Sequence, residues 1–126
     1  MQKINIIIFT LFTVISFNCK AQQISENQYA SKILGTWVLE EDTNNKLEFT
    51  SNGLCKVYEN NILNTTYQYS FVTTNCKNYS ESNIIYLKWI DLDDFEVSCL
   101  EVSGMTIDTL SLMIIDSAQI LYYNKQ

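Results

Sequence analysis

Alternation of apolar and polar residues, restarted about every ten residues, is the feature that most limits what this chain folds into. Trp37 and Leu39 alternate with Thr36, Val38 and Glu40, and Asp42-Thr43-Asn44-Asn45 makes a turn. Residues 46–50 then place Leu47 and Phe49 on one face. Ser51-Asn52-Gly53 follows as a tight hairpin, because Asn-Gly supplies the left-handed backbone such turns need. Residues 54–59 form the return strand. After a turn over residues 60–64, residues 65–73 put Tyr67, Tyr69 and Phe71 on one face. A polar loop over 74–83 carries Cys76, and residues 84–90 align Ile85, Leu87 and Trp89. The turn Asp91-Leu92-Asp93-Asp94 leads to residues 95–103, where Phe95, Val97 and Cys99 share a face. Residues 110–115 align Leu110, Leu112 and Ile114, and residues 119–124 close the series.

Eight short strands with hairpin-length connections specify an all-β sandwich or barrel. No connection is long enough for a Greek-key crossover, so the expected topology is an up-and-down meander. A meander removes its exposed edges by closing on itself. The expected fold is an eight-stranded up-and-down antiparallel barrel occupying residues 29–126. One short helix precedes it. Ser25-Glu26-Asn27-Gln28 has the form of a capping box, Tyr29, Ile33 and Leu34 give the helix an apolar side, and Gly35 ends it.

The N-terminal segment carries a different signal. Lys3 gives a cationic tip, residues 4–17 are a mostly apolar run, and the chain turns polar after Asn18-Cys19-Lys20-Ala21. This is the pattern of a secretory signal peptide, and the run is shorter than the roughly 20 residues of a membrane span. Two cleavage points fit. A cut after Ala21 removes residues 1–21 and leaves small residues at the −3 and −1 positions. A cut before Cys19 removes residues 1–18, since Ile15-Ser16-Phe17-Asn18-Cys19 resembles a bacterial lipobox in which the cysteine becomes lipidated. Several acyl chains on Cys19 would exceed what stable membrane anchoring needs. The expected location is outside the cytoplasm, as an outer-membrane lipoprotein or a periplasmic or secreted protein. The membrane is reached only through Cys19.

Composition narrows the chemistry. Removing 18 of the 126 residues leaves 108, enough for one core and one domain. The full chain has net charge −6 with no His, and it contains no Arg and no Pro. An acidic domain whose cations are scattered lysines lacks the footprint of a nucleic-acid binder. Without His, the Ser-His-Asp and Cys-His arrangements and the commonest zinc ligand are absent. Without Arg, bidentate clamps on phosphate or carboxylate are absent too. No acidic pair stands out from the ordinary surface acids, so no catalytic residue is assigned and the protein is expected not to be an enzyme. Asp91, Asp93 and Asp94 lack the Gly and distal Glu of a calcium loop and read as turn residues. No metal or other cofactor is expected.

Export places the cysteines in an oxidising compartment. Cys19 is lipidated or removed, which leaves Cys55, Cys76 and Cys99 for one disulfide. Alternate turns of a meander lie at one end, and Cys76 in its loop reaches Cys99 more easily than two strand-fixed thiols meet. The expected bridge is Cys76–Cys99, with Cys55 a buried thiol.

Gly35-Thr36-Trp37, at the junction of a short helix and the first strand, resembles the Gly-x-Trp signature of lipocalins. The run from Lys46 to Gly53 and the run from Met105 to Leu112 also look like small bacterial lipocalin-like proteins. The resemblance implies a barrel that holds a small apolar ligand in a cup, with Trp37 packing at the closed end. Larger lipocalins lay an Arg from near the last strand across this Trp; here Lys125 is the available substitute. The residues that would line a cavity are Trp37, Phe49, Tyr67, Tyr69, Phe71, Leu87, Trp89 and Phe95, although an eight-stranded barrel is only just wide enough for its own side chains. The expected function is binding of a small hydrophobic ligand, or an accessory role in the cell envelope. The alternative is a protein-binding barrel such as a protease inhibitor.

Overall fold

The computed structural model describes residues 26–126. Both proposed cleavage points, the lipidation candidate Cys19 and the capping Ser25 lie outside the described residues. One helix, α1 (Glu26–Lys32), is followed by eight strands: β1 (Gly35–Leu39), β2 (Lys46–Phe49), β3 (Leu54–Glu59), β4 (Ile62–Val72), β5 (Tyr86–Asp91), β6 (Val97–Met105), β7 (Thr109–Ile114) and β8 (Gln119–Lys125). Every consecutive pair is antiparallel, and β8 returns to β1 through Trp37↔Lys125 and Leu39↔Tyr123. The sheet is therefore a closed eight-stranded up-and-down barrel, as the alternation requires.

Turn chemistry sets the registers. Asn60 and Asn61 both adopt positive φ (52° and 62°), the backbone of a two-residue primed turn. The β3–β4 turn is thus tighter than the 60–64 expected, and β4 begins at Ile62. At the β2–β3 turn Gly53 has φ 83°, and Thr50 exchanges backbone bonds with Gly53 and Leu54.

Inward side chains form one core. Ile33, Trp37, Leu47, Phe49, Cys55, Phe71, Leu87, Val102, Leu110, Leu112 and Tyr123 are buried together. The two ends of the barrel differ. One carries α1, the β2–β3 turn and the C-terminus; it is called the helix end below. Here Ile33 and Trp37 are fully buried, and the Trp37 indole Nε1 donates to the Ile33 carbonyl at 2.7 Å. Tyr29 of α1 meets Phe71 of β4, ring centroids 5.6 Å apart. The other end, called the far end, carries the turns at 40–45, 60–61, 92–96 and 115–118 and has no helix over it among the described residues.

The sequence pattern fails in one stretch. Phe95 is 73 % exposed and lies outside the core. The acidic turn runs on past Asp94: the Phe95 amide donates to the Asp91 carbonyl and the Asp91 amide to the Glu96 carbonyl. Phe95 therefore sits in the turn at φ 62°, and β6 starts only at Val97. The faces of β6 are also reversed from the expectation. Leu100 pairs with the buried Leu87, so Ser98, Leu100 and Val102 face inward while Val97 and Cys99 face outward.

Candidate functional site

Most cavity candidates from the sequence meet on two adjacent strands. Tyr69 pairs with Trp89 and Phe71 with Leu87 across β4 and β5. They divide along the barrel axis. Trp37, Phe49, Phe71 and Leu87 are buried packing residues toward the helix end. Phe49 meets Tyr69 edge-on at 4.9 Å, and the Tyr69 hydroxyl donates to the Thr50 carbonyl at 3.1 Å. Tyr69 is thereby tied to the β2–β3 turn.

Toward the far end the packing loosens. Tyr67 stacks on Trp89 with ring centroids 4.8 Å apart and planes 19° from parallel. Both are only partly buried, as are Leu39, Val57, Leu100 and Leu121 around the same interior. The Trp89 indole Nε1 is buried and makes no hydrogen bond among the described residues. Burial holds the Tyr67 hydroxyl above its ordinary pKa, reinforced by the Asp91 carboxylate. Tyr67 is therefore a neutral hydrogen-bonding group at neutral pH, on an apolar wall.

The Cys76–Cys99 disulfide is present, with Cα atoms 5.9 Å apart. Cys55 is the buried free thiol. What separates Cys55 from the bridge is the face it occupies. Cys55 points into the core, whereas Cys99 is on the outer wall, in register with Lys88 in mid-strand. Residues 76–81 consequently lie against the outside of β5 and β6 as a flap. Tyr86, outward-facing yet only 2 % exposed, is covered by it. The Tyr79 ring stacks on Tyr86 at 6.3 Å, and the Glu81 amide donates to the Tyr86 hydroxyl at 3.2 Å. At its tip the Tyr79 hydroxyl donates to the Asp116 carboxylate at 2.5 Å, which raises the Tyr79 pKa.

Sequence periodicity alone missed the flap residue Tyr79, the Tyr86 that it covers, and the inward-facing Ser98 and Leu100. The run Ile84-Ile85-Tyr86-Leu87 was the available signal, since apolar residues on both faces mark a strand covered on both sides.

Acidic side chains at the far end serve turns. Asp91 Oδ1 accepts from the Asp93 amide at 2.8 Å and Asp94 Oδ1 from the Glu96 amide at 2.9 Å. Among the described residues no group of three or more His, Cys, Asp or Glu is placed to hold a metal ion. Among the same residues no helix is long and apolar enough to cross a membrane. No family model, curated protein or solved structure matches the chain.

Proposed function

We propose that this is an exported, non-catalytic, lipocalin-like binding protein of the cell envelope that holds a small apolar ligand in the far half of its barrel. The asymmetry of the interior carries this reading. The helix end is filled by Ile33 and Trp37, while the far end keeps the partly buried Tyr67–Trp89 stack. Aromatic walls with a few placed hydroxyls are what small-molecule sites use. Support comes also from the signal-peptide pattern of the first residues, from Gly35-Thr36-Trp37 at the helix–strand junction, and from a disulfide suited to an oxidising compartment. Where Cys19 is lipidated, the barrel is tethered to a membrane by a short segment ahead of α1.

The test is native mass spectrometry and thermal shift of the mature protein against fatty acids, retinoids and haem. One class binding with 1:1 stoichiometry and raising Tm is the expected result. Failure of all three, and of the two-ring probes described below, to bind removes the reading. Anchoring is tested separately by palmitate labelling with and without globomycin, using Cys19→Ala as the control. Unchanged labelling and processing in that variant ends the lipid-anchor assignment.

A further inference from the structure

The barrel wall is unzipped between β6 and β7 at the far end. Pairing of β6 with β5 continues to Ile90↔Val97, but pairing of β6 with β7 stops at Leu100↔Ile114. Val97, Ser98 and Cys99 thus have no ladder partner on the β7 side, where residues 115–118 turn toward β8. A depression of about 290 Å³ occupies this gap. Its lining takes Trp89, Ser98 and Leu100 from the inner face, Cys99 from the outer face and Tyr79 from the flap. Successive residues of a strand point to opposite faces. A depression lined by both Ser98 and Cys99 therefore reaches both sides of the wall at the strand edge. Ser98 is solvent-exposed although it shares the inward register position of Trp89. This unzipped edge is called the lateral window below.

A second observation is independent of the gap. Trp89 lines the depression, and its N–H, closed to solvent in the barrel as it stands, has no partner among the described residues. An acceptor reaches it when the indole shifts toward the depression. A buried donor left unpaired is costly, so an acceptor supplied there is recognised strongly. We propose that this lateral window is a binding site for a small, neutral, planar molecule carrying a hydrogen-bond acceptor. The acceptor takes the Trp89 N–H, and the ring lies against the aromatic surface of Tyr67 and Trp89. The inference rests on the reading of the barrel as a ligand-binding cup and adds the route and the chemistry. Neutrality follows from the charges at hand: Lys77 and Asp116 line the depression with opposite signs, and Asp91 acts on Tyr67. A carboxylate ligand gains no net attraction from this set. The volume lies at the small end of the range for ligand sites, which suits about two fused rings better than a long chain. The flap frames the outer rim and is fixed by the disulfide and by the Tyr79–Asp116 bond.

The experiment is a fluorescence titration of the disulfide-intact protein with Prodan, a naphthalene bearing a ketone. A propyl analogue that lacks the carbonyl is run beside it. Wild type is expected to prefer Prodan by about threefold to tenfold, the factor that one net hydrogen bond supplies. Trp89→Phe is expected to bring that preference close to one. Ser98→Leu, and the bulkier Ser98→Phe, are expected to block both probes, whereas the exposed Phe95→Ser leaves both unaffected. Circular dichroism and the mass of the Cys76–Cys99 peptide verify each fold, and Ser98→Leu serves where Ser98→Phe does not fold. A ketone preference that survives Trp89→Phe overturns the assigned donor. Unchanged binding in folded Ser98→Leu moves the ligand out of the window and leaves the cup reading standing. No binding of either probe, or of fatty acids, retinoids and haem, overturns both.

Discussion

The Lys125 ammonium lies over the Trp37 indole, 5.1 Å from the ring centroid, and donates to the Lys32 carbonyl at 3.3 Å. A single cation thus covers the face of the end-plugging Trp and satisfies a carbonyl in the last turn of α1. The strand register imposes this, because Lys125 is the cross-strand partner of Trp37. A cation over an indole is worth about 0.5–1 kcal/mol where solvent reaches it. Lys125→Met is therefore expected to lower unfolding free energy by about that amount, and Lys125→Arg to retain it. Urea unfolding followed by Trp fluorescence measures both; equal midpoints for the Met variant and wild type would show the contact to be inert.

Gly35 is held by two constraints at one atom. Its φ of 117° is a conformation L residues rarely adopt, and an added Cβ would stand 3.0 Å from Lys125 Cε. Gly35→Ala is expected to destabilise by about 1–3 kcal/mol, the cost of one residue forced into a sparsely populated backbone region. Shortening the lysine in a Gly35→Ala/Lys125→Ala double variant relieves the contact but not the φ. The double variant should therefore remain well below Lys125→Ala alone. Full recovery to that level in urea titrations would show that only the side-chain clash mattered.

The disulfide joins residues 23 apart in sequence and fastens the flap to the outer wall. In the chain-entropy description, closing a loop of that size stabilises by about 3 kcal/mol. Cys76→Ser/Cys99→Ser is expected to lose stability on that scale while keeping a β-sheet circular dichroism spectrum, because no inward-facing residue is touched. Hydrogen exchange should show amides of residues 76–81 deprotected first. A variant with the wild-type exchange pattern would mean that the Tyr79–Asp116 and Tyr79–Tyr86 contacts hold the flap unaided.

Legibility in the sequence follows from how local each determinant is. Alternation in residues 36–50 reports burial directly, since it sets the buried Trp37, Leu47 and Phe49 apart from their neighbours. By contrast, β3 is apolar on both faces, with Cys55 and Val57 inward and Leu54 and Tyr58 outward. On β6 the pattern is weaker: Val97 and Leu100 are both apolar and lie on opposite faces, so register against Leu87 decides which one points in. Phe95 misled because its turn is closed by the Phe95 amide on the Asp91 carbonyl, a pairing that a run of aspartates does not announce. The lateral window was beyond reach. It exists because two ladders on one strand end at different residues, which is a property of the closed sheet.

Phe95 carries strain that its burial does not offset. A bulky residue at φ 62° is an outlier, and this side chain is exposed. Asn and Gly tolerate that backbone far better, so Phe95→Asn and Phe95→Gly are expected to raise stability by about 0.5–1 kcal/mol. Thermal unfolding at constant protein concentration provides the check. A loss of stability in both variants would show that the Phe95 ring makes a stabilising contact.

Alkaline stability isolates Cys55. Burial, reinforced by the Glu48 charge, holds this thiol well above its ordinary value of 9.0. Burial likewise pushes Tyr123 from 10.0 up to about 12. Both groups stay neutral in the fold and ionise more readily once unfolded, so the unfolded chain releases protons first as pH rises. The stability they contribute is complete well below pH 9.0 and declines above it, through Cys55 from 9.0 onward and additionally through Tyr123 from 10.0 to about 12. Each group contributes a slope that approaches about −1.4 kcal/mol per pH unit within its window. Between pH 9.0 and 10.0 the unfolded tyrosines are only beginning to ionise, so Cys55 makes the larger contribution there. Cys55→Ala is expected to flatten the decline of urea stability from about pH 9.0 upward, leaving at higher pH only the decline that Tyr123 and the other buried tyrosines supply. Parallel curves for the two proteins from pH 8 to 10 would mean that the thiol ionises as freely in the barrel as in the unfolded chain.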